Sequence, residues 1–252
     1  MYKVIVCTML LLFSIPSEAA RKKFTEADIA QAQTHEQQVA LYQALSDELE
    51  RKSRGSRAKT YKQFQAELGG KLAREESKRI RAEVESATLE NGLVPMSALN
   101  KAEADALPIR TWNPANYDTL SKELGQKRSL TEDALAKSKA LQSEIDDSDW
   151  VQWVAVLQEQ WDLFGNDPEA ESAYRQAFEE GQYTLKAAGD SAMRTGEYGD
   201  ALNSYETLRQ LNPDFAGISE LISGANTSLE ALTFQDMLLD GNISGAFDSF
   251  ER

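Results

Sequence analysis

The sequence predicts an all-α fold: a polar helical hairpin, then a domain of stacked helix pairs. Two observations predict it. Ala, Leu, Glu, Gln, Lys and Arg dominate while β-branched residues are thinly spread, which favours helix over strand. Apolar residues recur at spacings of three and four, and no segment sustains the apolar–polar alternation of a half-buried strand.

Residues 1–19 read as a secretory signal peptide rather than as part of the fold. Lys3 gives a positive start and residues 4–15 carry no charge. Pro16 breaks the run, and Ser17, Glu18 and Ala19 set small residues at −3 and −1 of a cut before Ala20. Twelve apolar residues span roughly 18 Å as a helix, short of a bilayer core of about 30 Å. The expected mature chain is therefore exported and carries no transmembrane segment. Its only cysteine, Cys7, leaves with the signal, so neither disulfides nor thiolate metal sites are expected. A periplasmic or envelope-associated location fits best.

Residues 20–92 read as a polar helical hairpin or coiled coil. Val39, Tyr42, Leu45 and Leu49 form one narrow stripe, Tyr61, Phe64, Leu68 and Leu72 a second, and Ile80, Val84 and Ala87 a continuation. Arg54, Gly55, Ser56 and Arg57 mark the turn. Gly69–Gly70 predicts a kink or break, since each glycine costs about 1 kcal/mol relative to alanine, and Asn91–Gly92 predicts a helix stop. Pro95, Pro108 and Pro114 mark 93–113 as a linker, with room for a short helix over 97–107. Residues 114–252 then form a helical domain. Asn113–Pro114 opens its first helix and Gly125 closes it. Residues 129–132 have capping-box spacing for the next. Trp150, Val151, Val154, Leu157, Trp161 and Phe164 stripe a hydrophobic helix, with Asp147 and Ser148 as cap candidates and Gly165 as its stop. Asp167–Pro168 opens a further helix over 168–178. Core packing explains this aromatic stripe better than a ligand groove does.

Charge separates the two regions. Residues 21–110 hold sixteen Lys and Arg against fourteen Asp and Glu; residues 111–252 hold ten against twenty-six. An acidic half argues against nucleic-acid binding, which needs cations to neutralise phosphate. One basic cluster stands apart: Arg51, Lys52, Arg54, Arg57, Lys59 and Lys62, with no acid among them. A solvated turn is its plainer reading, and contact with an anionic lipid or glycan the functional one.

Catalytic constellations are scarce. His35 is the only histidine and lies in a polar stretch, and a catalytic triad would have to be built on it. One histidine disfavours zinc. Asp146, Asp147 and Asp149 lack the glycine and distal glutamate of a calcium loop and read as helix caps. No phosphate loop or dinucleotide fingerprint occurs, so no cofactor or metal is expected. Forty-one acidic residues leave a two-carboxylate hydrolase as a residual alternative.

Residues 182–215, QYTLKAAGDSAMRTGEYGDALNSYETLRQLNPDF, have the thirty-four-residue length of one supersecondary unit. Gly189 and Ala201 are small where two helices would cross. Gly196 suits a left-handed helix end. Tyr205 and Leu208 are apolar contacts of the second helix, and Pro213 terminates it. The segment resembles a tetratricopeptide repeat, with Leu185 where that family often has a large aromatic. A partial second unit lies near 217–250: Gly241 to Ala246 and Phe250 echo Gly196, Ala201 and Tyr205, after a longer first helix over 217–239. The resemblance implies a protein–protein adaptor or scaffold in the cell envelope, with the first helix of each pair lining the ligand face. On that frame Tyr183, Lys186, Asp190 and Arg194 face a protein or peptide partner, one with a basic surface given the acidic half. Asp190 departs from the family's carboxylate-binding pattern. A self-associating structural component is the second reading.

Overall fold

A computed structural model describes residues 23–146, 148–165 and 167–241. Among them the chain is all-α, with helices α1 (Glu26–Gln31), α2 (His35–Arg51), α3 (Ser56–Ser86), α4 (Met96–Trp112), α5 (Pro114–Gln142), α6 (Trp150–Phe164), α7 (Pro168–Thr195), α8 (Tyr198–Leu211) and α9 (Ile218–Leu239), and no strand. The signal-peptide reading of 1–19 and the end of the second repeat unit, 242–250, lie outside the described residues. The chain divides into two compact units, 1–78 with 108–118, and 79–107 with 119–252.

In the first unit, Thr25 and Thr34 each form a capping box, with Asp28 and Gln37. These boxes satisfy amide groups that α1 and α2 would otherwise leave orphaned. The predicted stripes meet as a core of Tyr42, Leu45, Leu49, Ala58, Tyr61, Leu68 and Leu72, with Val39, Phe64 and Trp112 packed against it. The hairpin turn falls at Gly55, as its sequence predicts. Gly69–Gly70, by contrast, does not interrupt α3. A Cβ at Gly69 would lie 2.5 Å from the Trp112 carbonyl oxygen and 3.0 Å from the Tyr42 ring. The Tyr42 hydroxyl donates to the neighbouring Thr111 carbonyl at 2.8 Å. Glycine is there to admit a neighbour, and the packing it allows outweighs its poor helix propensity.

In the second unit several predicted boundaries move. Helix α3 ends at Ser86, ahead of Asn91, and Gly92 takes a positive φ of 81° within the turn that follows. The segment 93–113, read as a linker with room for a short helix over 97–107, is instead mostly α4, which extends past that range and runs through Pro108. An interior proline costs about 3 kcal/mol. Against it stands the burial of Leu99, Ala102, Ala106 and Ile109 along the same helix, each large aliphatic being worth about 1.5–3 kcal/mol. Helix α5 opens at Asn113–Pro114, where Asn113 Oδ1 accepts from the Asn116 amide at 3.2 Å. It then passes Gly125 and Ser129 without a break, since Leu120, Leu124, Thr131 and Leu135 keep its inner face buried on both sides of them. Thr131 caps nothing; its hydroxyl donates to the buried Val94 carbonyl at 2.8 Å. Arg79–Asp105, Lys101–Glu83, Arg81–Glu123 and Arg128–Glu103 ion pairs, at 2.7 to 3.1 Å, tie α3, α4 and α5 on their solvated sides.

Helices α6 to α9 pack in chain order. The cap of α6 is Asp149, which accepts from the Gln152 amide; Ser148 is not the cap, and Asp147 lies outside the described residues. Asp167 caps α7 and Pro168 opens it, as predicted. The separate helix expected over 168–178 is not separate. It is the first part of a 28-residue α7, about 42 Å long at 1.5 Å per residue. Gly181, at its middle, is crossed by Trp150 of α6 and Leu211 of α8. Gly196 closes α7 in the left-handed conformation, α8 stops at Leu211 just ahead of Pro213, and α9 spans the length its sequence predicts.

Candidate functional site

The joint of α7 and α8 is built from the residues that the sequence singles out. The Tyr205 ring occupies the space that a side chain at Gly189 would need. Ala201 and Leu208 are fully buried, and Ile218, Ile222 and Ala225 of α9 complete this core. Glycine at 189 therefore admits the aromatic ring of α8, not only its backbone. The Tyr205 hydroxyl donates to Asp190 Oδ1 at 2.8 Å, and Lys186 Nζ donates to Asp190 Oδ2 at 2.6 Å. The Lys186 ammonium, then the Tyr205 hydrogen bond, hold the Asp190 carboxyl below its ordinary value. Burial, then the Asp190 carboxylate, push the Tyr205 phenol up to about 12.

The four residues of the expected ligand face thus divide. Lys186 and Asp190 bond to each other and, through Tyr205, to α8. Tyr183 is 77% exposed and Arg194 is exposed without an ion pair among the described residues. At 3.6 residues per turn, Gln176, Glu180, Tyr183, Ala187 and Arg194 share one face of α7, all five exposed, over about 27 Å. The opposite face carries the buried Ala177, Gly181, Gly189 and Ala192.

At its N-terminal end this strip borders a cavity of about 490 Å³ lined by Gln142, Trp150, Trp153, Leu157, Gln176 and Glu180, among others. The aromatic stripe of α6 is thereby split. Trp161 stacks on Tyr174 at 5.3 Å, which in turn stacks on Phe178, and this is core packing. Trp150 and Trp153 line the groove. Sequence reading missed Trp153, Gln176 and Glu180; the signal available was a second tryptophan three residues after Trp150, which also packs against the core of Val154, Leu157 and Ala177.

The remaining candidates lie elsewhere. His35 is the exposed first residue of α2, edge-on to Trp112 at 5.9 Å. Asp146 accepts from the Ser148 hydroxyl and amide, which lower its pKa. Among the described residues no group of three or more His, Cys, Asp or Glu forms a metal site, and no helix is long and apolar enough to cross a membrane. The six basic residues of 51–62 are exposed around the α2–α3 turn. Comparison with protein-family models, with curated proteins and with solved structures finds no match.

Proposed function

We propose that this chain is an exported helical adaptor, related to tetratricopeptide proteins, that holds a protein or peptide along the outer face of α7. The observation that carries the proposal is the exposed strip from Gln176 to Arg194 beside the tryptophan groove. A large aromatic and a free cation stand there on a helix fixed from behind by α6 and α8. Exposed Tyr and Arg on a rigid helix are the residue types that dominate binding energy at interfaces. Among the described residues the carboxylates with a displaced pKa, Glu83, Glu123, Asp146 and Asp190, are all lowered by cations or hydrogen bonds. A general acid needs the opposite shift, which supports binding over hydrolysis.

The test is capture from an envelope extract by the wild type and by Tyr183→Ala/Arg194→Ala. One such anchor is worth about 2 kcal/mol, so even if only one of the two residues acts as an anchor, capture falls about thirtyfold while helicity is unchanged. Undiminished capture would show that the partner binds elsewhere. Lys186 is spared, because removing it would leave Asp190 with one partner and disturb α8.

The second reading, self-association, draws on α9, where Leu232, Leu238 and Leu239 are exposed. It predicts a sedimentation coefficient that rises with concentration and stops rising in Leu239→Glu; the adaptor reading predicts a monomer.

A further inference from the structure

The basic turn of the first unit has no role in the adaptor reading. Arg51, Lys52, Arg54, Arg57, Lys59 and Lys62 are all exposed. Arg51 leans toward Glu48 at 3.6 Å; the other five make no side-chain ion pair or hydrogen bond among the described residues. A shortage of acids does not explain this, since the chain holds forty-one. In the second unit Arg81, Lys101 and Arg128 pair with carboxylates at 2.7 to 2.8 Å, while Lys122, Lys127 and Lys137 stand without an ion pair among the described residues but are spread along α5 instead of gathered in one turn. What sets the turn apart is five unpaired cations within eleven residues.

The shape of the turn narrows the choice of anion. At 100° per residue, Arg57, Lys59 and Lys62 radiate around the start of α3 instead of standing in file. Cations in file suit a linear polyanion lying along a helix; cations around a tip suit a broad surface met end-on. The turn also borders a cavity of about 290 Å³ lined by Lys23, Lys52, Arg54, Arg57 and Tyr61 with one carboxylate, Glu48, room for a phosphodiester headgroup. Ala58 and Tyr61 are buried, so the turn offers no apolar side chain for insertion and contact rests on charge.

We infer that the α2–α3 turn docks on an anionic phospholipid surface, its cations meeting headgroup phosphates. Each Lys or Arg near such a surface strengthens binding about fivefold. The docking is therefore salt-sensitive, because exposed charges are screened beyond about 8 Å at physiological ionic strength.

The test is flotation of the full chain with vesicles of phosphatidylcholine alone or with added phosphatidylglycerol. The zwitterionic vesicles report whatever the uncharged 4–15 run contributes by itself. Two variants with the same change in net charge are compared: Arg57→Glu/Lys62→Glu in the turn, and Lys122→Glu/Lys137→Glu on α5. The expected result is binding that needs phosphatidylglycerol, is lost at high salt, weakens at least about twentyfold in the turn variant and persists in the α5 variant. All four side chains are exposed, and unchanged circular dichroism checks folding. Equal loss in both variants, or no preference for phosphatidylglycerol, overturns the inference. Retention on an anionic polysaccharide with none on vesicles also overturns it, and puts a glycan at the turn.

Discussion

Asp190 shows how one side chain can belong to a fold and to a candidate face at once. It accepts from Tyr205 on one oxygen and from Lys186 on the other. Tyr205 is protonated in the fold up to about pH 12, against about 10 in an unfolded chain. Its contribution is fully present below pH 10 and is lost as pH rises from 10 through 12, where the unfolded state sheds the proton first. Asp190 behaves in the opposite sense: its folded pKa is lowered, so its contribution is present above about pH 4 and is lost as pH falls through the folded value. Tyr205→Phe should lower stability by about 1.5–3 kcal/mol, the worth of a hydrogen bond to a charged group. It should also abolish the alkaline loss between pH 10 and 12. Denaturant unfolding at pH 7, 10 and 11.5 checks both; a variant that keeps the alkaline loss would place its origin in another group. Of the two outer residues of the strip, Tyr183 has no part in this network, while Arg194 reaches it only through its charge, which helps to lower Asp190.

At the scale of the element, glycine divides into two kinds that the sequence does not distinguish. Gly69 and Gly189 are buried where a neighbour fills the space of a missing side chain, whereas Gly125 faces open solvent in the middle of α5. Gly189→Ala should cost about 1–3 kcal/mol through overpacking against Tyr205, and Gly69→Ala a similar amount against the Trp112 backbone. Gly125→Ala should instead stabilise by about 1 kcal/mol from helix propensity alone. Thermal midpoints of the three variants check the opposite signs. The same distinction decides what was legible. Helix starts carrying a local signal, Asn113–Pro114 and Asp167–Pro168, were readable, as were the αL stop at Gly196 and the apolar stripe of α2. The breaks expected at Gly69–Gly70, Gly125 and 93–113 were not breaks, because propensity is local while the burial of Leu99, Ile109, Leu120 and Leu135 depends on distant neighbours. Likewise Gly189, Ala201, Tyr205 and Leu208 were legible through their spacing, but the groove of Trp153 and Glu180 was not. It forms only where α6 meets α7, a register that single-chain periodicity does not encode.

For the molecule as a whole, folding and docking should respond to salt in opposite directions. The Arg79, Arg81, Lys101 and Arg128 pairs are closed at 2.7 to 3.1 Å, well inside a Debye length of about 8 Å at 0.15 M. Salt weakens them little, and as solvated pairs each is worth at most about 1 kcal/mol. The excess of twenty-six acidic over ten basic residues in 111–252 acts over longer range. At 0.01 M salt, where the Debye length is about 30 Å, it is largely unscreened; at 0.15 M much of it is removed. Relief of that self-repulsion should exceed the loss from the pairs. The thermal midpoint at pH 7.5 should therefore rise by roughly 2–5 °C between these conditions, the shift that about 1 kcal/mol or slightly more gives in a chain of this size. Over the same range, retention on phosphatidylglycerol vesicles should fall. A midpoint that drops with salt would mean that the pairs of α3, α4 and α5 outweigh the net charge, and Arg81→Gln should then remove most of the drop.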